Sequence, residues 1–76
     1  MRLNQLKIGE KAVIKDIKCG NLTIKKLTAM GLVKGEIIQI IRRAPLKDPI
    51  EIKINNLTLA IRNKQANEIM VEVIEQ

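Results

Sequence analysis

The sequence contains no phenylalanine, tyrosine, tryptophan or histidine, and a single cysteine. Each absence removes a class of function. Without histidine there is no ordinary general base tuned near neutral pH and no imidazole to hold a metal. One thiol, Cys19, forms no internal disulfide and builds no thiolate metal site alone. Beside Gly20 it reads as an incidental loop thiol. The acidic residues Glu10, Asp16, Glu36, Asp48, Glu51, Glu68, Glu72 and Glu75 show no clustering that marks a catalytic pair or a metal site, so no cofactor is expected and the chain is read as a non-enzyme. The missing aromatics argue against proline-rich ligands, which dock on aromatic walls. They argue equally against a nucleic-acid strand held by base stacking. No apolar run reaches transmembrane length and no signal-peptide pattern is present. With a free cysteine, this predicts a cytoplasmic protein.

What remains is aliphatic and basic. The 76 residues suffice for one domain, residues 1–76, around one small core. At 46% hydrophobic residues the chain is too apolar for disorder. Its abundant Ile and Val favour strands. The net charge of +6 is uneven: residues 1–43 hold ten Lys/Arg against three Asp/Glu, and residues 44–76 hold four against five. A basic half suits an acidic protein surface, nucleic acid or an anionic inner membrane leaflet. It also suits plain solvation.

Along the chain, Leu3, Leu6 and Ile8 form a short turn over one end of the fold, and Lys11 to Ile17 is the first strand. A short helix over about residues 23–30 follows, capped by Asn21 or Thr23, with Ile24, Leu27 and Met30 as its buried stripe and Lys25, Lys26 and Thr28 outside. Gly31 fits the left-handed position that stops a helix, with Leu32 returning to touch Leu27. Glu36 to Arg43 is the second strand, in which Ile37, Ile38, Ile40 and Ile41 are expected to be buried on one or both faces. After the loop from Ala44 to Pro49 comes the clearest pattern in the sequence. Ile50 to Ile54 and Leu57 to Ile61 alternate strictly around Asn55-Asn56, a pair suited to a two-residue turn. Pairing Ile54 with Leu57 sets Ile52 against Leu59 and Ile50 against Ile61, all six on one face. Residues 63–68 read as one helical turn capped by Asn63, and Ile69 to Ile74 as the closing strand with Ile69, Val71 and Val73 inward. The expected fold is mainly β: a small SH3-like barrel of about five strands with one inserted short helix.

Several of these segments in order carry a resemblance. They are Leu3-Asn4-Gln5-Leu6-Lys7-Ile8-Gly9-Glu10, Leu27-Thr28-Ala29-Met30-Gly31-Leu32, Gly35, Ala44-Pro45-Leu46-Lys47-Asp48-Pro49-Ile50, Leu59-Ala60-Ile61-Arg62, Ala66 and Ile69-Met70-Val71. The chain resembles the FeoA family, small cytosolic components of bacterial ferrous iron uptake. It departs from the family where Lys34 and Lys47 stand at positions that are often Pro and Gly. The resemblance implies an SH3-like barrel and partnership with FeoB, a membrane permease with a cytoplasmic GTPase domain. It also implies kinship with the C-terminal domains of metal-dependent repressors, whose winged helix this chain lacks.

With no catalytic set, function requires a surface. One candidate is the helix and its stop: Leu22, Lys25, Lys26, Leu27, Met30 and Leu32, with core packing the competing role for Leu27 and Met30. A second is the loop carrying Pro45 and Leu46 with the adjoining hairpin, including Lys53. A third is the basic set of Lys25, Lys26, Arg42, Arg43 and Arg62, facing an acidic partner or the membrane. The leading reading is an accessory protein that docks on cytoplasmic parts of a FeoB-like permease to regulate or assemble it. The alternatives are a metal- or ligand-sensing SH3-like module of the repressor type and a basic nucleic-acid-binding barrel. No specific nucleic acid is expected.

Overall fold

A computed structural model describes residues 1–75. A 3-10 turn at Leu3–Gln5 leads into β1 (Lys11–Ile17), then helix α1 (Asn21–Ala29) and β2 (Ile37–Arg43). A second 3-10 turn at Pro45–Lys47 precedes β3 (Ile50–Ile54) and β4 (Leu57–Ile61). The one-turn helix α2 (Asn63–Ala66) and β5 (Ile69–Glu75) complete the chain. All pairings are antiparallel, in the order β4-β3-β2-β1-β5. β1 therefore joins β2 on one side and β5 on the other, and β4 and β5 form the two edges. The fold is mainly β and SH3-like, a partly open barrel with α1 inserted after its first strand.

The inward positions follow from strand alternation. Ala12 and Ile14 of β1, Ile38 and Ile40 of β2, and Ile50, Ile52 and Ile54 of β3 are buried together with Ile61, Ile69 and Val71. Leu3 and Leu6 close one end of this core, and Leu27 and Leu32 plug it from the helix. Every buried residue among those described is aliphatic, so the core holds without an aromatic. The hairpin has the expected register, Ile54 with Leu57, Ile52 with Leu59 and Ile50 with Ile61. Asn55 takes positive φ in its turn.

The end of α1 is a complete Schellman stop. Gly31, at φ 91°, donates its N–H to the Thr28 carbonyl at 2.9 Å. Leu32 donates to the Leu27 carbonyl at 2.9 Å, and both side chains enter the core.

Three expectations are corrected. Ile37 and Ile41 are exposed, because only alternate residues of β2 can face the core and Ile38 and Ile40 take that face. Leu57 shares the inward face as expected and, at the hairpin tip, is 58% exposed. Ile8 is also exposed, although Leu3 and Leu6 beside it are buried. Neither helix carries the expected side-chain cap: Gly20 precedes α1, Arg62 precedes α2, and no side chain at either position bonds into the helix.

Candidate partner-binding surface

Helix α1 sorts its residues by its docking on the barrel. Leu27 is buried, and Thr23 and Ile24 are half-buried. Met30, just beyond the helix, is half-buried against the core. The opposite face holds Leu22, Lys25, Lys26 and Ala29, all exposed. Leu22 is 83% exposed, so this face pairs one aliphatic side chain with two ammonium groups. Burial removes Leu27 and Leu32 from any contact surface in this structure, and both serve the core instead.

The basic set divides by partner. Arg43 reaches back to the N-terminal turn, where its guanidinium donates to the Asn4 carbonyl at 2.8 Å and the Leu6 carbonyl at 2.7 Å. It is thus a structural strap rather than a surface charge. Arg42 pairs with Glu51 across β2 and β3. Arg62 lies 4.0 Å from the Asp48 carboxylate. The side chains of Lys25 and Lys26, by contrast, make no ion pair or hydrogen bond among the described residues. Their charge is therefore available to a partner.

The loop after β2 presents a second feature. Leu46 is 98% exposed and sits at φ 70°, in the left-handed region that a leucine rarely occupies. Pro45 beside it is exposed. Ala44 donates to the Pro49 carbonyl at 3.1 Å and closes the loop at its base. An apolar side chain is thus held outward at a conformational cost, with no burial in return.

Two shallow concavities lie elsewhere. One, on the outer face of the sheet, is lined by Lys11, Ile37, Ile38, Gln39, Lys53 and Asn55, and it accounts for Lys53. The other runs between α1 and the barrel, lined by Asp16, Ile17, Ile24, Thr28, Leu32, Val33 and Lys34. Ile37, Gln39 and Ile24 were absent from the sequence-derived candidates. The polar Gln39 between two Ile pairs was the available signal, since it marks residues 37, 39 and 41 as the outward set.

Cys19 is half-buried and packs against the core. Burial, and then the nearby Glu68 carboxylate, push its thiol above the ordinary range. Among the described residues no three His, Cys, Asp or Glu side chains converge as metal ligands. No described helix is long and apolar enough to cross a membrane.

Comparison with known proteins adds a context to this geometry. The profile of the FeoA domain matches residues 1–73. A curated relative, the Fe(2+) transport protein A/Fe(2+) transporter FeoB fusion protein of Porphyromonas gingivalis, is 35% identical over 74 residues. That match covers 97% of this chain but only 9% of the relative. The solution structure of iron(II) transport protein A from Clostridium thermocellum superposes with a TM-score of 0.93 at 42% identity, covering 97% of this chain and 46% of that one. At 22% identity, FeoA of Stenotrophomonas maltophilia, described as a procaryotic SH3 domain protein, has the same fold with a TM-score of 0.81 over 95% of this chain and 89% of that one.

Proposed function

The chain belongs to the FeoA family, and from that premise we propose that it is a non-enzymatic accessory protein of bacterial ferrous iron uptake. It docks on cytoplasmic parts of a FeoB-like permease and biases that transporter's assembly or nucleotide-linked state. The observation that carries this reading is the fusion of a 35% identical relative to a FeoB transporter in one polypeptide. A covalent tether keeps two modules at high effective concentration, an arrangement suited to modules that work in contact.

The surface offered is the exposed face of α1, Leu22 with Lys25 and Lys26, supplemented by Leu46 and Pro45 on the β2–β3 loop. Unpaired lysines beside an isolated exposed leucine suit an acidic rim around a small apolar socket. A partner with such a site prefers one transporter conformation only if the socket differs between states. The basic half of the chain also favours a position close to the anionic inner membrane surface, where the permease resides.

Co-purification of this chain with the cytoplasmic domain of its transporter, in nucleotide-free, GDP-bound and GTP-analogue-bound forms, tests the reading. Binding in at least one state, weakened by salt and by Leu22→Asp with Lys25→Glu, is the expected result. Absence of binding in every state, together with unimpaired iron uptake after deletion, overturns it.

A further inference from the structure

The two sheet edges are treated differently. Along β5, Arg2 bridges Met70, and Val71 donates to the Met1 carbonyl at 2.7 Å, so the N-terminal residues cover that edge. β5 also carries Glu72, and its pairing with β1 shifts register twice. These are the devices by which natural sheets blunt an edge. β4 has none of them. Leu57-Thr58-Leu59-Ala60-Ile61 contains no charge, no proline and no glycine, and its pairing with β3 runs unbroken through all five residues. No other strand joins β4 among the described residues.

The hairpin geometry fixes which backbone groups are open. In a two-residue turn the flanking pair, Ile54 with Leu57, exchanges hydrogen bonds, and alternate pairs repeat this. Leu59 and Ile61 therefore also bond to β3, while the N–H and C=O of Thr58 and Ala60 point away from the sheet. Both residues are exposed, and no other hydrogen bond engages them among the described residues. On the inward face Leu57 is exposed and Leu59 only half-buried, so apolar surface beside this edge lacks a cover.

We propose that β4 is a β-augmentation site that takes an extended segment of a partner protein as a sixth strand. Thr58 and Ala60 supply the backbone bonds, and alternate apolar side chains of the segment cover Leu57 and Leu59. Charge selects the occupant. Lys53 stands opposite Thr58 on the outer face, is exposed, and has no ion pair among the described residues. Strands lie about 4.8 Å apart, so a glutamate on the added strand meets the Lys53 ammonium across the short Thr58 side chain. Glu51, opposite Ala60, is already paired with Arg42. The segment is thus alternately apolar and acidic. A second copy fits less well, because each copy carries a net charge of +6 and β4 offers no compensating acid. This site does not depend on the transporter being the partner.

The test uses the full chain and an acetylated hexapeptide that alternates valine with glutamate and threonine. Amide exchange read by NMR is expected to slow at Thr58 and Ala60 on adding the peptide. Leu57 and Leu59, already bonded to β3, should barely change. Ala60→Pro removes an outward donor at an edge position that tolerates proline, and Lys53→Glu reverses the charge that selects an acidic strand. Each variant is expected to keep the melting midpoint and to bind about tenfold more weakly; should the proline variant fail to fold, the Lys53→Glu variant decides. A peptide with N-methylated backbone should not bind. Failure of the unmodified peptide to protect Thr58 and Ala60, or equal affinity in the wild type and the folded variants, overturns the proposal. Exchange in the unliganded protein that slows with rising protein concentration makes a second copy the occupant and overturns it as well.

Discussion

The Asp48 carboxylate accepts a hydrogen bond from the Asn63 N–H at 2.9 Å, and so caps α2 from fifteen residues away in sequence. The first N–H groups of a helix have no partner within it. Here the acceptor comes from the β2–β3 loop, which ties that loop to the connection between β4 and β5. Asp48→Ala is expected to cost about 1 kcal/mol, and Asp48→Asn, which keeps an oxygen acceptor, less. The loss corresponds to a fall in melting midpoint of about 4–8 °C for a chain of this size. Asn63→Ala should cost little, since the Asn63 side chain caps nothing. Arg62→Ala should stay within about 0.5 kcal/mol, because its pair with Asp48 is long and exposed. Thermal melts of the four variants check this ordering, and an Asn63 variant as damaged as Asp48→Ala would contradict it.

Gly31 tests backbone conformation apart from packing. A Cβ added there meets nothing within 4 Å, so a substitution is penalised only by its φ of +91°. Gly31→Ala should destabilise by about 1–2 kcal/mol, the usual cost of the left-handed region for an L-residue. Gly31→Val should cost more, because a branched Cβ fits that region worse. Both proteins should keep the native fold at low temperature, since the Schellman bonds and the Leu27–Leu32 packing survive. An unchanged denaturation midpoint for Gly31→Val refutes the account.

Local chemistry explains what could be read in advance and what could not. The hairpin register was legible because strict alternation and an Asn-Asn turn agree on one pairing, and a slip of one residue would turn every isoleucine outward. The helix stop was legible because glycine at that point has a single mechanical use. Two adjacent Ile pairs give no period by themselves, so Ile37 and Ile41 are sorted outward only by the alternation through Gln39 that the sheet enforces. The α2 cap is not legible in the sequence because its donor–acceptor pair is tertiary: Asp48 reaches α2 only once the barrel forms. The surface was harder still. Lys25, Lys26, Arg42, Arg43 and Arg62 are equivalent in the sequence, and only the fold reveals that the arginines are engaged while the two lysines are not. Leu27 and Leu32 were ambiguous for the same reason, since an aliphatic side chain carries no mark of which face it will take.

Cys19 provides a chemical probe of its surroundings. Partial burial, reinforced by Glu68, favours the protonated thiol, and only the thiolate attacks an alkylating agent. Alkylation by iodoacetamide at pH 7.5 (about one unit below the ordinary thiol range) should therefore be slower than that of a free cysteine and rise steeply with pH. Glu68→Gln removes the smaller of the two causes, so the reaction should accelerate while remaining slower than in a peptide. Mass spectrometry of timed aliquots gives both rates. A thiol as reactive as a peptide cysteine would mean that the burial around Cys19 is misdescribed.

Leu46 separates stability from function. Its φ of 70° costs a leucine about 1–2 kcal/mol relative to ordinary backbone, and at 98% exposure its side chain recovers nothing by burial. Asparagine tolerates the left-handed region through its short polar side chain, so Leu46→Asn should raise stability by roughly 0.5–1 kcal/mol and the melting midpoint by several degrees. A residue that weakens the fold and fills no core is best explained by a contact made outside the chain, as strained positions concentrate at sites of function. The same substitution should therefore weaken co-purification with the transporter's cytoplasmic domain. Calorimetric melting and the binding assay on one protein sample decide the matter. A gain in stability with undiminished binding would remove Leu46 from the docking surface, and a loss of stability would show that the loop depends on the leucine itself.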